Sequence, residues 1–333
     1  DESMDTPDNG LYAFEDVTVG GPYTIRPAKD GDDHNGLSTI DLILLQRHLL
    51  GNQLLESPYL LIAADVNNSG NITTLDLIEL RKLLLGNIDQ FQNNTSWRFV
   101  PKSFVFPNQM NPWQTTFPEA ITVQEVTSCI HDLDFVAIKI GDLNGSVVAN
   151  ALEGEVRNLD GDGMGLNVED KLLTPGETYK IDFTADQLNR FEGFQFTLNF
   201  DNSALELLEV EHGFVQEEHI GTRYAEEGLL TFSWNKTAQH KGLNAGKAFS
   251  LVFRAKAAVR ISELLSVSSR ITQAEAYDNG LNAVPFNLTF SKQPIAANGF
   301  ELLQNAPNPF RELTTIQFVI PEYGEVEFTI HDV

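Results

Sequence analysis

The chain has 333 residues, and 47 Asp and Glu against 22 Lys and Arg leave a formal charge of −25 at pH 7. A surface this acidic excludes binding to a nucleic-acid backbone, which needs clustered Lys and Arg, and favours cation capture. One cysteine, Cys129, excludes an intrachain disulfide and a cysteine-built zinc site, and no apolar run reaches the roughly 18–20 residues of a membrane helix.

A hydrophobic content of 42% with 22 Phe supports real cores, and the length suggests two or three domains. The first residue is Asp1 rather than Met, as expected of a mature or excised piece of something longer. In residues 1–27, Tyr12, Phe14 and Val17, then Tyr23 and Ile25, are spaced like short strands around Gly20-Gly21. Two strands cannot hold a core alone. They read either as a hairpin packed on the next unit or as the end of a larger sandwich. The segment resembles the closing strands of a carboxypeptidase-regulatory-like or Cna-B-like β-sandwich, which implies that earlier strands precede it.

Residues 28–51 and 63–86 repeat at a shift of 35, with ten identities in 24 ungapped positions. Each copy is an oxygen-rich loop followed by an apolar helix that stops at Gly51 or Gly86. In the second loop Asp65, Asn67 and Ser69 hold positions 1, 3 and 5, Gly70 position 6, Ile72 position 8, Thr73 position 9 and Asp76 position 12. Calcium needs six to eight hard oxygens around a tight loop. Gly70 permits the sharp turn, Asn71 offers its backbone carbonyl, and Asp76 closes the site at a helix N-terminus. Ile72 is expected to pair with Leu37 as a short β-bridge between the loops.

The first loop fits less well. Asp30, Asp32 and Asp41 hold positions 1, 3 and 12, and Ser38 position 9. Position 5 is His34, a poor calcium ligand, and the Asn35-Gly36 order displaces the glycine by one. Asn35 is able to adopt the left-handed conformation, and Asp33 is a substitute ligand after a local shift. One good calcium site and one weaker or distorted site are expected. The alternative is a pair of Asp/Asn-rich turns that only cap helices.

These loops resemble a dockerin, the paired-calcium-loop module that binds cohesin domains in bacterial extracellular assemblies. The aspartates Asp41 and Asp76, where ordinary EF-hands carry Glu, support that resemblance over a signalling EF-hand. It implies partner contacts at loop positions 10 and 11 and at basic residues of the following helix: Thr39, Ile40 and Arg47-His48, then Thr74, Leu75, Arg81 and Lys82. Apolar Ile40 and Leu75 depart from the Ser/Thr pairs of the best-known cellulosomal type and equally suit packing within the chain.

Residues 87–150 read as an irregular aromatic extension, with Trp97, Phe99, Phe104, Phe106 and Trp113 as core rather than a sugar platform. Asp142 and Asn144 in "GDLNGS" read as a turn, and Cys129 as a buried small apolar residue. From about 151 to 291 alternating runs bounded by turns mark a β-sandwich. In "GFQFTLNFD" Phe194, Phe196, Leu198 and Phe200 share one face, and Gln195, Thr197 and Asn199 the other. The order of these runs resembles a cohesin. Asp160 and Asp162 read as a solvated loop more readily than an ion site.

Residues 292–333 contain "LLQNAPNPF" and then "TTIQFVIP" and "GEVEFTIHDV". Leu303, Asn305, Pro307, Asn308, Pro309 and Phe310 carry a resemblance to the C-terminal sorting domain of the type IX secretion system of Bacteroidota. It implies delivery to an outer-membrane secretion machinery, although the sequence stops at Val333, before that domain's remaining strands.

No H-E-x-x-H, G-x-S-x-G or phosphate-loop pattern occurs. Acidic pairs such as Glu217-Glu218 arise by chance among 47 acidic residues. The sequence is therefore read as multidomain and mainly β: β-sandwich domains with a small α-helical paired EF-hand-like (dockerin) unit. Its expected role is a non-catalytic, calcium-stabilised, secreted and surface-displayed scaffold or adhesion region, whose partner is a cohesin-like domain of the same or another chain. The alternatives are a filament built by dockerin–cohesin docking between chains and the accessory modules of an extracellular hydrolase.

Overall fold

The computed structural model describes residues 2–7, 10–148, 159, 163–292, 301–302 and 318–319. The sorting-signal residues Leu303, Asn305, Pro307, Asn308, Pro309 and Phe310, and the Asp160/Asp162 pair, lie outside the described residues. Among those described the fold is mainly β, with two hydrophobic cores.

The first core is helical. After strand β1 (Tyr23–Ile25) come α1 (Thr39–Leu49), α2 (Pro58–Ala64) and α3 (Thr74–Leu84). Capping boxes start α1 and α3: Ser38 and Thr73 are the N-caps, and Asp41 and Asp76 reach back to the cap amides. Gly51 and Gly86 follow the C-caps at φ +69° and +66°, the left-handed stop expected of them. Helix α2, unforeseen in the sequence reading, begins on a Ser57 N-cap with Pro58 in its first turn.

Leu42, Leu45, Leu61, Ile62, Leu80 and Leu83 bury this core. The extension wraps it through β2 (Trp97–Pro101), β3 (Ile121–Val123) and β4 (Phe135–Lys139), with Phe106 and Phe117 buried and Phe104 and Trp113 packed alongside. Strand β2 pairs with β4, and β1 pairs with β3 rather than with residues across Gly20-Gly21. Tyr12, Phe14 and Val17 form no strand. The 1–27 segment instead runs along the extension, held by the Gly20–Val126 bridge and a hydrogen bond from the Tyr12 hydroxyl to Leu133 O. Cys129 is exposed, not buried, because it sits on the exposed stretch between β3 and β4.

The second core is a sandwich. Its strands are β5 (Met164–Asp170), β6 (Thr178–Ala185), β7 (Phe191–Phe200), β8 (Leu205–His212), β9 (Ile220–Gly221), β10 (Leu229–Asn235), β11 (Gly246–Ala255), β12 (Leu265–Ser268), β13 (Glu275–Asp278) and β14 (Ala283–Lys292), with the short helix α4 (Ile261–Leu264) before β12. One sheet runs β8-β11-β6-β5-β14-β13-β7-β10-β9, and β12 also pairs with β7. It folds over at β14, which lies parallel to β5 and antiparallel to β13. Aromatic rings fill the interior: Phe196 stacks between Phe232 and Phe286 at 4.6 and 4.4 Å, and Phe232 meets Phe249 of the opposite layer at 4.5 Å. A further pair, β15 (Glu301–Leu302) with β16 (Phe318–Val319), is antiparallel.

His219, before β9, is 3% exposed, and its Nδ1 accepts the Gln216 amide at 3.0 Å. Burial, and then the charge of Arg81, push its imidazole down to about 3. In the unfolded chain the ring titrates near 6.5, so between those values only the unfolded state binds the proton, and stability falls as pH drops below about 6.5. His219→Asn, which keeps an acceptor for Gln216, is expected to remove about 2 kcal/mol of the stability that native protein loses between pH 6.5 and 5. Paired denaturation curves at the two pH values measure this.

Candidate functional site: the docked helix ends and the two loops

The helical unit sits on the outer face of β7 and β10, and helix ends make the contact. The first four amides and last four carbonyls of a helix have no partner inside it. Thr39 opens α1; its amide donates to Gln195 Oε1 at 2.6 Å, and its hydroxyl lies 2.7 Å from Ser233 Oγ. At the end of α3, Thr272 Oγ1 donates to Leu84 O at 2.8 Å, Thr231 Oγ1 to Leu85 O at 2.6 Å, and Arg223 Nη1 to Gly86 O at 3.0 Å. Arg223 also forks onto Asp89 at 2.8 and 3.0 Å.

Between these ends Arg81 Nη2 donates to Asn235 Oδ1 at 2.5 Å, and Asn235 Nδ2 donates to Gln46 Oε1. Burial pushes the Arg81 guanidinium down to about 10. Behind Gln195 lie Glu275 and Tyr277: the Tyr277 hydroxyl donates to Glu275 Oε1, and Gln195 Nε2 donates to the same oxygen at 3.2 Å. Burial and then the charge of Glu275 hold that phenol well above its usual range. Two glycines permit the approach. A Cβ on Gly193 would lie 3.1 Å from Thr39 Cγ2 and 3.2 Å from Ile43 Cδ1, and one on Gly221 would lie 2.8 Å from Leu85 O.

Of the residues expected at a partner surface, Thr39, Arg47 and Arg81 meet the sandwich, Arg47 through Glu192 at 3.4 Å. Ile40 is half-buried, while Thr74, Leu75 and Lys82 face outward, Leu75 at 63% exposure. The sequence reading missed the receiving residues Gln195, Thr231, Ser233, Asn235, Thr272 and Arg223. A signal for them was present. Outward positions of the other layer carry charges (Lys180 and Asp182 on β6, Glu206, Glu209 and Glu211 on β8), whereas Gln195, Thr197 and Asn199 of β7 and Thr231, Ser233 and Asn235 of β10 are uncharged. A strand face stripped of charge in so acidic a chain is a covered face.

Loop 2 is folded around its own oxygens. Asp65 Oδ1 accepts from Ser69 N at 2.8 Å and Oδ2 from Gly70 N at 2.8 Å. Asp76 Oδ2 accepts from Thr73 N at 2.8 Å and Oδ1 from Asn67 N at 3.2 Å, and burial pushes its carboxyl up. Gly70 takes the sharp turn at φ +79°. Asn67 Oδ1 is buried with no hydrogen-bond partner. An orphaned amide oxygen at position 3, beside two carboxylates, is what a hard cation would satisfy. Asp65, Asn67, Ser69, the Asn71 carbonyl and Asp76 therefore fit calcium. Among the described residues no three carboxylate, imidazole or thiol groups converge on one point, so such a site relies on amide, hydroxyl and carbonyl oxygens as well.

Loop 1 is arranged differently. Asp30 Oδ1 accepts from Ser96 N at 3.0 Å and from Ser96 Oγ at 3.2 Å, and this hydrogen bonding holds its carboxyl below the usual range. Asp32 Oδ2 accepts from Asn35 Nδ2 at 2.6 Å. Asp41 Oδ2 accepts from Ser38 N at 2.9 Å and Oδ1 from Leu143 N at 2.8 Å; full burial pushes this carboxyl up to about 8. Asn35 does not take the left-handed turn foreseen for it; Gly31, Asp32 and Gly36 do. No bridge joins Leu37 to Ile72 among the described pairings; both side chains enter the helical core instead. Asp142 folds "GDLNGS" into a turn, accepting from Gly145 N at 2.8 Å and Val147 N at 2.9 Å.

No curated protein sequence matches the chain. Similar solved structures include the seventh ScaB type I cohesin of Pseudobacteroides cellulosolvens (18% identity, 39% of this chain and 88% of that one, TM-score 0.29). They also include a Coh-OlpC-Doc435 cohesin–dockerin complex of Clostridium thermocellum (17%, 42% and 100%, 0.30) and the sixth cohesin of Acetivibrio cellulolyticus scaffoldin B in complex with a Cel5 dockerin mutant (18%, 39% and 98%, 0.30). Residues 29–85, which carry both loops and all three helices of the docked unit, match the dockerin type I domain family.

Proposed function

We propose that this chain is a self-docked scaffold, in which the dockerin segment occupies the outer face of the sandwich of its own chain and calcium stiffens the docked unit. The observation that carries this reading is the set of contacts from Gln195, Ser233, Thr231, Thr272 and Arg223 to the unpaired groups at the start of α1 and the end of α3. Tethering on one chain gives docking an effective concentration in about the millimolar range. A face filled in this way resists a second chain at lower concentration, so the cis arrangement is favoured over a filament. Loop 2 is the calcium site of this reading, its binding energy adding to folding energy. The region itself performs no catalysis on this reading and serves an exported bacterial surface protein, with residues 303–310 as the sorting signal and any hydrolase activity belonging to other domains.

Ser233→Arg and Thr39→Arg place bulk and charge at the contact without touching either core. Each is expected to raise the radius of gyration in solution scattering and to split a single thermal transition into two. An unchanged radius with a single transition in both variants sinks the docking. Native protein is expected to sediment as a monomer with and without calcium; concentration-dependent polymers would favour the filament instead.

Removing calcium from native protein with EDTA is expected to lower the melting temperature by several degrees, since [L] near 100 Kd contributes about 2.7 kcal/mol. Asp65→Asn should melt at the chelated temperature whether or not calcium is present. Identical melts of native protein in both buffers contradict the calcium assignment.

A further inference from the structure

Lys139 closes β4 and is 4% exposed. It donates to Asp32 O at 2.8 Å and to Asp33 O at 3.1 Å, two carbonyls of loop 1. Beside it stands the ring of Trp97, 5.8 Å from the ammonium to the centroid, with Lys29 at 4.8 Å from the same ring. The carboxylates whose charge it feels are Asp33, Asp32 and Asp142.

Three further oxygens of loop 1 are committed to donors from outside the loop. Ser96 takes Asp30, Leu143 takes Asp41, and Ser146 Oγ donates to the position-7 carbonyl, Gly36 O, at 2.8 Å. Loop 2 offers the contrast: the carboxylates of Asp65 and Asp76 accept only from residues of their own loop, and Asn67 Oδ1 is left over. Aligned copies of one motif thus meet opposite surroundings. At loop 2 the nearest guanidinium, Arg98, meets only the exposed side chain of Asn68; loop 1 holds an enclosed ammonium against its carbonyls.

We propose that Lys139 is the built-in cation of loop 1, so that the first repeat folds without a metal and the chain binds a single divalent ion, at loop 2. The residues of loop 1 do not fit calcium: oxygens at positions 1, 7 and 12 are held by donors from outside the loop, position 5 is His34, and an ammonium lies against the loop's carbonyls. A metal entering there would meet a buried positive charge within a few ångströms, a repulsion of several kcal/mol at the effective dielectric of a protein. The count of one ion rests on the loop 2 reading above, whereas the role of Lys139 does not.

Calcium titrated by calorimetry into metal-stripped full-length protein is expected to give one ion per chain. Asp32→Asn should still bind one, and Asp65→Asn none. Lys139→Met is expected to lower the melting temperature in EDTA by about 5 °C or more, because it leaves two half-buried carbonyls without their donor and three carboxylates without their counter-charge. Two ions on native protein, or loss of one ion in Asp32→Asn, overturns the proposal, as does an unchanged EDTA melt of Lys139→Met. No ion on native protein, with the Lys139→Met loss intact, overturns the calcium reading of loop 2 and leaves the internal cation standing.

Discussion

A helix end is chemically incomplete, and this molecule is organised around completing two of them. The amide of Thr39 and the carbonyls of Leu84, Leu85 and Gly86 have no partner within α1 or α3, and the contact with the sandwich excludes the water that would otherwise serve them. A buried amide or carbonyl left unpaired costs about 1–3 kcal/mol. The sandwich answers each in turn, with Gln195, Thr272, Thr231 and Arg223. The requirement also explains why the outer rows of β7 and β10 consist of short polar residues. An apolar row would bury more area but strand the helix ends, and a charged row would bury unpaired charge.

The internal repeat makes the two halves of the helical unit equivalent in sequence, and the docking makes them different in environment. Ile43 is 4% exposed against the sandwich, while its counterpart Ile78 is 46% exposed. The loops follow the same division. Segment 94–148 leans on loop 1 with Ser96, Lys139, Leu143 and Ser146, whereas from that segment loop 2 receives Asn94, which donates to Asp65 O at 3.0 Å, and Arg98, which donates to Asn68 Oδ1 at 2.9 Å, and its carboxylates keep to donors of their own loop. In a chain of charge −25 every acidic loop needs a counter-charge. One copy is supplied from within the fold; the other is left an oxygen set suited to an ion from outside.

Much of this was legible in the sequence, for reasons that differ by element. The capping boxes and the stops at Gly51 and Gly86 are local chemistry, and local chemistry is written in adjacent residues. The alternation of Phe194, Phe196, Leu198 and Phe200 reported the inner face of β7 because hydrophobic burial leaves a period of two. Loop 1 was legible as irregular, through His34 and the displaced Gly36, but not its partner: Lys139 lies 107 residues from Asp32, and no pattern links them. The pairing of β1 with β3 was hidden for the same reason. Cys129 was misjudged because a residue type's average burial says nothing of the stretch it occupies. The docking face was readable in principle, but only as a missing quantity, the absence of charge from Gln195, Thr197 and Asn199 of β7 and from β10.

An interface of this composition has a physical consequence. Hydrogen bonds exchanged with water contribute about 0.5–1.5 kcal/mol each. Their strength is in geometry: Gly193 and Gly221 fix how near the helices come, and the carbonyls of Leu84, Leu85 and Gly86 each meet their own donor. Such a contact between separate molecules would have to offset several kcal/mol of lost translational and rotational freedom. On one chain that cost is largely met by the covalent connection, so modest hydrogen bonds suffice to hold the docked state. Tethering supplies the affinity and the polar face supplies the register. The rigidity of the helical unit then matters most, because hydrogen bonds spread between Thr39 at one helix start and Gly86 at the other helix end act together only if α1 and α3 keep their relative placement. Charge neutralisation in the two loops, which start those helices, therefore bears directly on how well the docked state holds.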